Sequence, residues 1–205
     1  MSMRWNPVDA RACRGPNGGV RRLRAVVLVE GESDRVALHA LAGRLGRDLA
    51  AEGIDVVAMG GITNTRAFAS HYGPRGLGVA LAGLYDAPEE AKLQHGLAAA
   101  GLGAALDADR LTGLGFYKCS ADLEEELIRA LGVEAVEAVI EAAGEARSLR
   151  LLTGMPAQRG WRREAVLRRF LGSRSGRKTR YAELLVDALE PGRVPEPLAA
   201  LVARL

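Results

Sequence analysis

The sequence predicts an α/β protein: a mostly parallel four-stranded sheet with helices on both faces, followed by a helical C-terminal extension. Two patterns predict it. Short apolar runs rich in β-branched residues end in glycines or acids, and helical periodicity follows them; from Leu123 onward only helical periodicity remains, broken at Gly132, Pro156, Gly172 and Pro191. Strands alternating with helices at this spacing favour a parallel sheet covered on both sides.

The run Leu23–Val29 reads as a strand buried on both faces and ends in Glu30 and Gly31. Ser33 or Asp34 caps the next helix, whose apolar face is Val36, Ala37, Ala40, Leu41 and Leu45. Ile54–Met59 is a second strand, Gly60 and Gly61 its turn, and Thr63–His71 a helix. A third strand, Gly78–Tyr85, ends at Asp86; a helix over Glu89–Ala100 follows, and Gly115–Cys119 is a short fourth strand leading to Asp122. Three units are expected: a disordered basic arm over 1–22, an α/β core over 23–131, and a helical basic extension over 132–205 packed on that core.

With 205 residues, 48% of them hydrophobic and 26% charged, the chain can bury a core without a disulfide or structural metal. Aromatic residues make up only 4%, which leaves little material for the base-stacking surfaces of sequence-tolerant single-strand binders. Cys13 and Cys119 stand far apart and outside any CxxC spacing, so zinc and disulfide readings both fail. No secretory apolar segment opens the sequence and no run is long enough for a bilayer, so a cytoplasmic protein without membrane contact is expected.

The net charge is +3, but acids gather mid-chain and bases at the ends. Between Glu145 and Arg180 the bases greatly outnumber the acids. Such a block is either a phosphate-binding surface or a solvated helix face. On the first reading Arg162, Arg163, Arg169, Arg174 and Arg177 form a nucleic-acid track.

Ligands of an open parallel sheet bind beyond the carboxyl ends of its strands. Glu30 and Asp34 follow the first strand, Asp86 ends the third, and Asp122 and Glu124 follow the fourth. The turn Glu30-Gly31-Glu32-Ser33-Asp34 would repel a bare phosphate, unlike a glycine-rich dinucleotide loop. Divalent cations between carboxylates and substrate remove that repulsion, and oxygen ligands suit Mg²⁺ or Mn²⁺. The alternative for Asp34 is a helix cap alone, and for Glu30 a pair with a nearby arginine.

The stretch Val26-Val27-Leu28-Val29-Glu30-Gly31-Glu32-Ser33-Asp34 resembles the first motif of TOPRIM domains, in the version found in OLD-family nucleases. In that family a later strand ends in DxD. Leu84-Tyr85-Asp86-Ala87-Pro88-Glu89 aligns with it, matching at Asp86 and departing at Pro88, so Glu89 or Glu90 would have to substitute. Asp122-Leu123-Glu124 matches the later acidic pair, and Lys178 the downstream lysine; the resemblance covers roughly 23–185.

The resemblance implies a TOPRIM, Rossmann-like core and Mg²⁺- or Mn²⁺-dependent hydrolysis of nucleic-acid phosphodiesters, as an endonuclease on DNA. Glu30, Asp34 and Asp122 would hold one cation, Asp86 and Glu124 with Glu89 or Glu90 a second, and Lys178 would offset transition-state charge. Glu30, Asp86 and Lys178 are its catalytic residues. The ATPase half that usually precedes this module in the family has no counterpart, and no GxxxxGK[ST] occurs. A separate ATPase subunit and a second copy of the chain therefore stand as candidate partners. The competing reading is a catalytically weak TOPRIM module that binds nucleic acid or a partner. Gly172–Thr179 looks like a phosphate loop, but Arg177 separates Gly176 from Lys178 and an amphipathic helix precedes it.

Overall fold

The computed structural model describes residues 12–14 and 20–205, of which the side chains are described from residue 22. Two short strands, β1 (Ala12–Arg14) and β2 (Val20–Arg22), pair antiparallel inside the stretch expected to be an arm. The remainder of that stretch lies outside the described residues. The main sheet comprises β3 (Ala25–Val29), β4 (Ile54–Ala58), β5 (Ala80–Asp86) and β6 (Phe116–Cys119). Their spatial order is β4-β3-β5-β6, and all neighbours run parallel.

Strand alternation divides the core. Ala25, Val27 and Val29 face one side, where α1 (Glu32–Arg44) packs with α5 (Leu123–Leu131), α6 (Val133–Ala142), α8 (Arg163–Leu171), α9 (Arg177–Ala188) and α10 (Glu196–Arg204). Val26 and Leu28 face the other, against α2 (Thr65–Tyr72), α3 (Glu90–Ala99) and α4 (Ala108–Leu114). The last helix before α8, α7 (Ala146–Thr153), contributes Leu149 to the first cluster. The C-terminal helices thus share a core with the sheet, and α1 packs chiefly against α9. This is what carries residues near position 170 to the acids near position 30.

Two local features shape the sheet where its strands approach their carboxyl ends. Gly83 on β5 lies so close to its neighbours that a Cβ there would stand 2.3 Å from the Leu28 carbonyl and 2.9 Å from the Phe116 ring. After β4, Gly60 and Gly61 take positive φ values of 72° and 126°, which side chains disfavour, and make the turn whose Gly61 amide donates to the Glu30 carbonyl at 3.1 Å. The short α4 has no clear signature in the sequence, because Thr112 and Gly113 interrupt a seven-residue helix with little periodicity.

Candidate metal centre and the acids around it

The site is assembled at the carboxyl ends of β3, β5 and β6. Glu30 directly follows β3, with its carbonyl held by Gly61 and the next amide, Gly31, donating to Asp34 Oδ2 at 2.8 Å. Asp34 therefore does cap α1, as its alternative reading held, yet only one of its oxygens is spent on that bond. Asp86 closes β5 beside Cys119 of β6. The side chains of Glu30 and Asp86 make no hydrogen bond or ion pair among the described residues, and Glu30 Oε2 is buried without a donor.

Charge acts across this group. Burial pushes the Asp86 carboxyl up to about 7, with Asp34, Glu30, Asp122 and Glu124 adding to the rise. Asp34 is also pushed up to about 7, by burial and then by Glu124 and Glu30, against the Gly31 hydrogen bond and Lys178. The Glu30 pKa is raised by burial and by Glu89, with Lys178 and Lys92 opposing. Residues from position 30 to position 178 thus share one electrostatic neighbourhood.

The remaining acids differ in one respect: each is already paired with a base. Asp122 caps α5 by accepting the Glu125 amide at 2.8 Å, and its other oxygen takes Arg168 at 2.7 Å. Glu124, buried, accepts Lys178 Nζ at 3.0 Å. Burial lowers the Lys178 pKa, but Glu124, Asp122 and Asp34 outweigh it and keep the ammonium charged. Glu89 lies 2.7 Å from Lys92, whereas Glu90 turns to Lys118 at 3.1 Å and to the Tyr85 hydroxyl at 3.4 Å. Of the two glutamates offered as substitutes at Pro88, it is Glu89 whose charge reaches Glu30. Pro88 itself is exposed at the start of a 3₁₀ turn, Ala87–Glu89, where its missing N–H costs nothing.

Among the described residues no three acids, histidines or cysteines stand close enough to form a ready metal cage. The donor chemistry nevertheless fits a hard divalent cation: carboxylates alone, in mutual repulsion, with buried oxygens of Glu30 and Glu89 that accept no hydrogen bond, the second lying in an ion pair with Lys92.

The arginine track is not continuous as the sequence suggests. Arg177 is buried, paired with Glu145, donating to Phe170 O and Ser173 Oγ, and stacked 4.0 Å over the Phe170 ring; it braces α9 and offers nothing to a phosphate. Arg163 is tied to Glu137 and Thr153. Arg162, Arg169 and Arg174 are exposed. Arg168, which the sequence offers only as one base in the basic block, is the residue that joins the extension to the acids; α8 periodicity places it beside Val166–Phe170, but nothing local points to Asp122. It also lines a cleft of about 490 Å³ with Glu125, Arg129, Arg162 and Glu164. Tyr85 and Tyr181 donate to Glu90 and Glu145 and are pushed up to about 12 by burial, so neither resembles an activated nucleophile.

Residues 23–87 match the family described as overcoming lysogenization defect protein-like, TOPRIM domain. No curated protein matches the chain. Among solved structures, the C-terminal region of the Xanthomonas campestris pv. campestris OLD protein is similar with a TM-score of 0.67 and 26% identity, over 88% of this chain and 93% of that one. The C-terminal region of the Burkholderia pseudomallei OLD protein, at 21% identity, shares the fold with a TM-score of 0.63, over 89% and 96%. Among the described residues no helix is long and apolar enough to cross a membrane. Residues 23–87 thus match the OLD-like TOPRIM domain, and over most of its length the chain shares the fold of the C-terminal regions of OLD proteins.

Proposed function

We propose that the chain is a cytoplasmic Mg²⁺- or Mn²⁺-dependent nuclease that hydrolyses phosphodiesters of DNA. The observation that carries the reading is the set of unpaired carboxylates, Glu30 and Asp86 with the free oxygen of Asp34, at adjacent strand ends of an OLD-like TOPRIM domain. A divalent cation bound there supplies positive charge that polarises a phosphodiester oxygen and eases deprotonation of an attacking water. Glu30, Asp34 and Asp86 hold and orient that charge. Lys178, kept protonated at the edge of the site, offsets the negative charge that builds on the phosphorus oxygens. Arg162, Arg169 and Arg174 lead the polyanion toward the acids, and the cleft walled by Arg129, Arg162 and Arg168 gives it a path.

Cleavage of single- and double-stranded DNA and RNA in Mg²⁺, Mn²⁺ or chelator tests the reading. Cleavage in Mn²⁺ that chelator abolishes supports it; no cleavage of any substrate with either ion sinks it. One observation favours a second reading, a module that binds nucleic acid or a partner ATPase without turnover: Pro88 stands where the family has an aspartate, and Asp122 and Glu124 are engaged by Arg168 and Lys178. DNA binding without cleavage is its signature.

A further inference from the structure

Among the described residues, Trp161 is the only Phe, Tyr or Trp whose side chain is exposed, at 46%. It stands at the end of the connection between α7 and α8, in the sequence Gln158-Arg159-Gly160-Trp161-Arg162-Arg163. The backbone there is pinned. Gln158 is buried, its amide donates to the Met155 carbonyl at 3.0 Å, and its own carbonyl accepts the Trp161 amide at 3.0 Å. Gly160 makes that turn at a φ of 79°, in the region that side chains disfavour. A fixed turn thus presents an indole to solvent.

What surrounds the ring selects its occupant. From 146 to 165 the chain carries Arg147, Arg150, Arg159, Arg162 and Arg163 against a single acid, Glu164. Arg147, Arg150 and Arg159 are exposed and make no ion pair among the described residues. Arg162 meets Glu164 only at 4.0 Å, and its side chain is 90% exposed. Leu151 and Met155 are exposed in the same stretch, so a protein partner is the rival occupant. Cores of protein interfaces are depleted in charge, however, and uncommitted guanidiniums on either side of an indole suit a ligand with both phosphates and an aromatic face. Nucleic acid has both. In a closed duplex the base faces are stacked on one another, so the face that Trp161 needs comes from an unpaired base.

We infer that Trp161 stacks on an unpaired nucleobase, with Arg159 and Arg162 on the adjoining phosphates, so that the nucleic acid is single-stranded where it crosses this turn. The inference rests on the reading of the neighbouring site as one for nucleic acid, and it names the substrate class. The turn is continuous with that site. Arg162 is the N-cap of α8 and lines the same cleft as Arg168. Arg168 lies about 9 Å farther along the helix axis, and its guanidinium reaches Asp122 at 2.7 Å. A base held on Trp161 therefore sets the register of a strand running along the cleft toward the acids. One indole gives one stacking contact, which a chain with 4% aromatic residues can supply without a stacking platform.

The chain has two tryptophans, so Trp5→Phe leaves Trp161 as its one indole. Its fluorescence, followed in chelator so that nothing is cleaved, reports stacking directly. A short oligothymidylate should quench the emission. An oligomer of abasic deoxyribose phosphates of equal charge, and a relaxed closed circular duplex, should bind without quenching it. Trp161→Ala, with an unchanged Tm, should bind oligothymidylate roughly tenfold more weakly, within the range of about 5- to 150-fold that one lost stacking contact costs. Trp161→Phe should lose only about threefold, and affinity for the abasic oligomer should change by less than about twofold. No quenching by oligothymidylate, or equal quenching by the abasic oligomer, overturns the inference. So does a Trp161→Ala chain that keeps its affinity for oligothymidylate but changes its oligomeric state in sedimentation, since the indole is then a protein contact. Quenching in a protein that cleaves nothing in Mn²⁺ upholds the stacking and sinks the nuclease; cleavage without quenching does the reverse.

Discussion

Replacing Asp34 by asparagine separates a carboxylate that belongs to a repelling cluster from one that merely caps a helix. The exchange is nearly isosteric and the new side-chain oxygen can still accept the Gly31 amide, so the cap survives and only the charge is lost. In the folded chain the Asp34 carboxyl is raised from 3.8 to about 7 by burial, Glu124 and Glu30. A native pKa above the unfolded one means that the folded state binds the extra proton, so stability falls as pH rises between about 4 and 7 and stays low above. At about 1.4 kcal/mol per pH unit the full rise corresponds to roughly 4 kcal/mol. Relaxation of the neighbouring carboxylates should halve that to roughly 2 kcal/mol, or on the order of 4–8 °C in Tm for a chain of this size. Thermal melting in chelator at about pH 8 should therefore place Asp34→Asn above the parent by that margin. The difference should vanish below about pH 4, where the parent's carboxyl becomes protonated in both states. Added Mn²⁺ should raise the parent's Tm more than the variant's, because a ligand of the folded state stabilises it in proportion to affinity. Equal melting at the higher pH, or a lower Tm for the variant, would refute the reasoning and leave Asp34 as a cap.

Three further outcomes follow from the same geometry. Pro88→Asp should raise cleavage supported by Mg²⁺ relative to Mn²⁺, since Mg²⁺ tolerates irregular ligand sets less well, and adding Glu30→Ala should abolish the gain; an unchanged ratio of rates in the two ions argues that position 88 does not face the cation. Reversing the charge at Arg162, Arg169 and Arg174 should weaken DNA binding at low salt and flatten the dependence of log affinity on log salt by roughly one for each phosphate no longer neutralised; retained affinity would make these arginines a solvated face. Arg177→Ala should instead lower Tm and leave the salt dependence alone, because it removes a buried guanidinium that bridges Glu145, the Phe170 carbonyl and Ser173, while Glu145 keeps Arg180 and the Tyr181 hydroxyl; an unchanged Tm would show that Arg177 does not brace the extension.

The sheet was legible because its strands are short apolar runs closed by glycine or acid, and a strand buried on both faces has no other pattern to offer. The acids were legible for a related reason. Hydrophilic residues at the tips of buried strands stand out, and the topology gathers every tip on one edge. What stayed hidden depends on which helix packs where. Arg177 and Arg168 look alike in sequence, each a base in a basic helix, yet one is buried on Phe170 and the other reaches Asp122. Their fates are decided by the packing of α8 and α9 against α1 and α5, which no local pattern records. The same holds for Glu89 and Glu90: adjacent in sequence, they point to different partners once the Pro88 turn is set.

On the proposed function, the unpaired carboxylates at the ends of β3 and β5 work with a divalent cation to cleave DNA. Single-turnover cleavage in Mn²⁺ by the parent and by Glu30→Ala and Asp86→Asn, each first shown by circular dichroism to be folded, tests it most directly. The parent should cleave, and each variant should lose roughly a hundredfold or more in rate with DNA binding retained. Cleavage by either variant at the parental rate would contradict it and move the chemistry away from these strand ends.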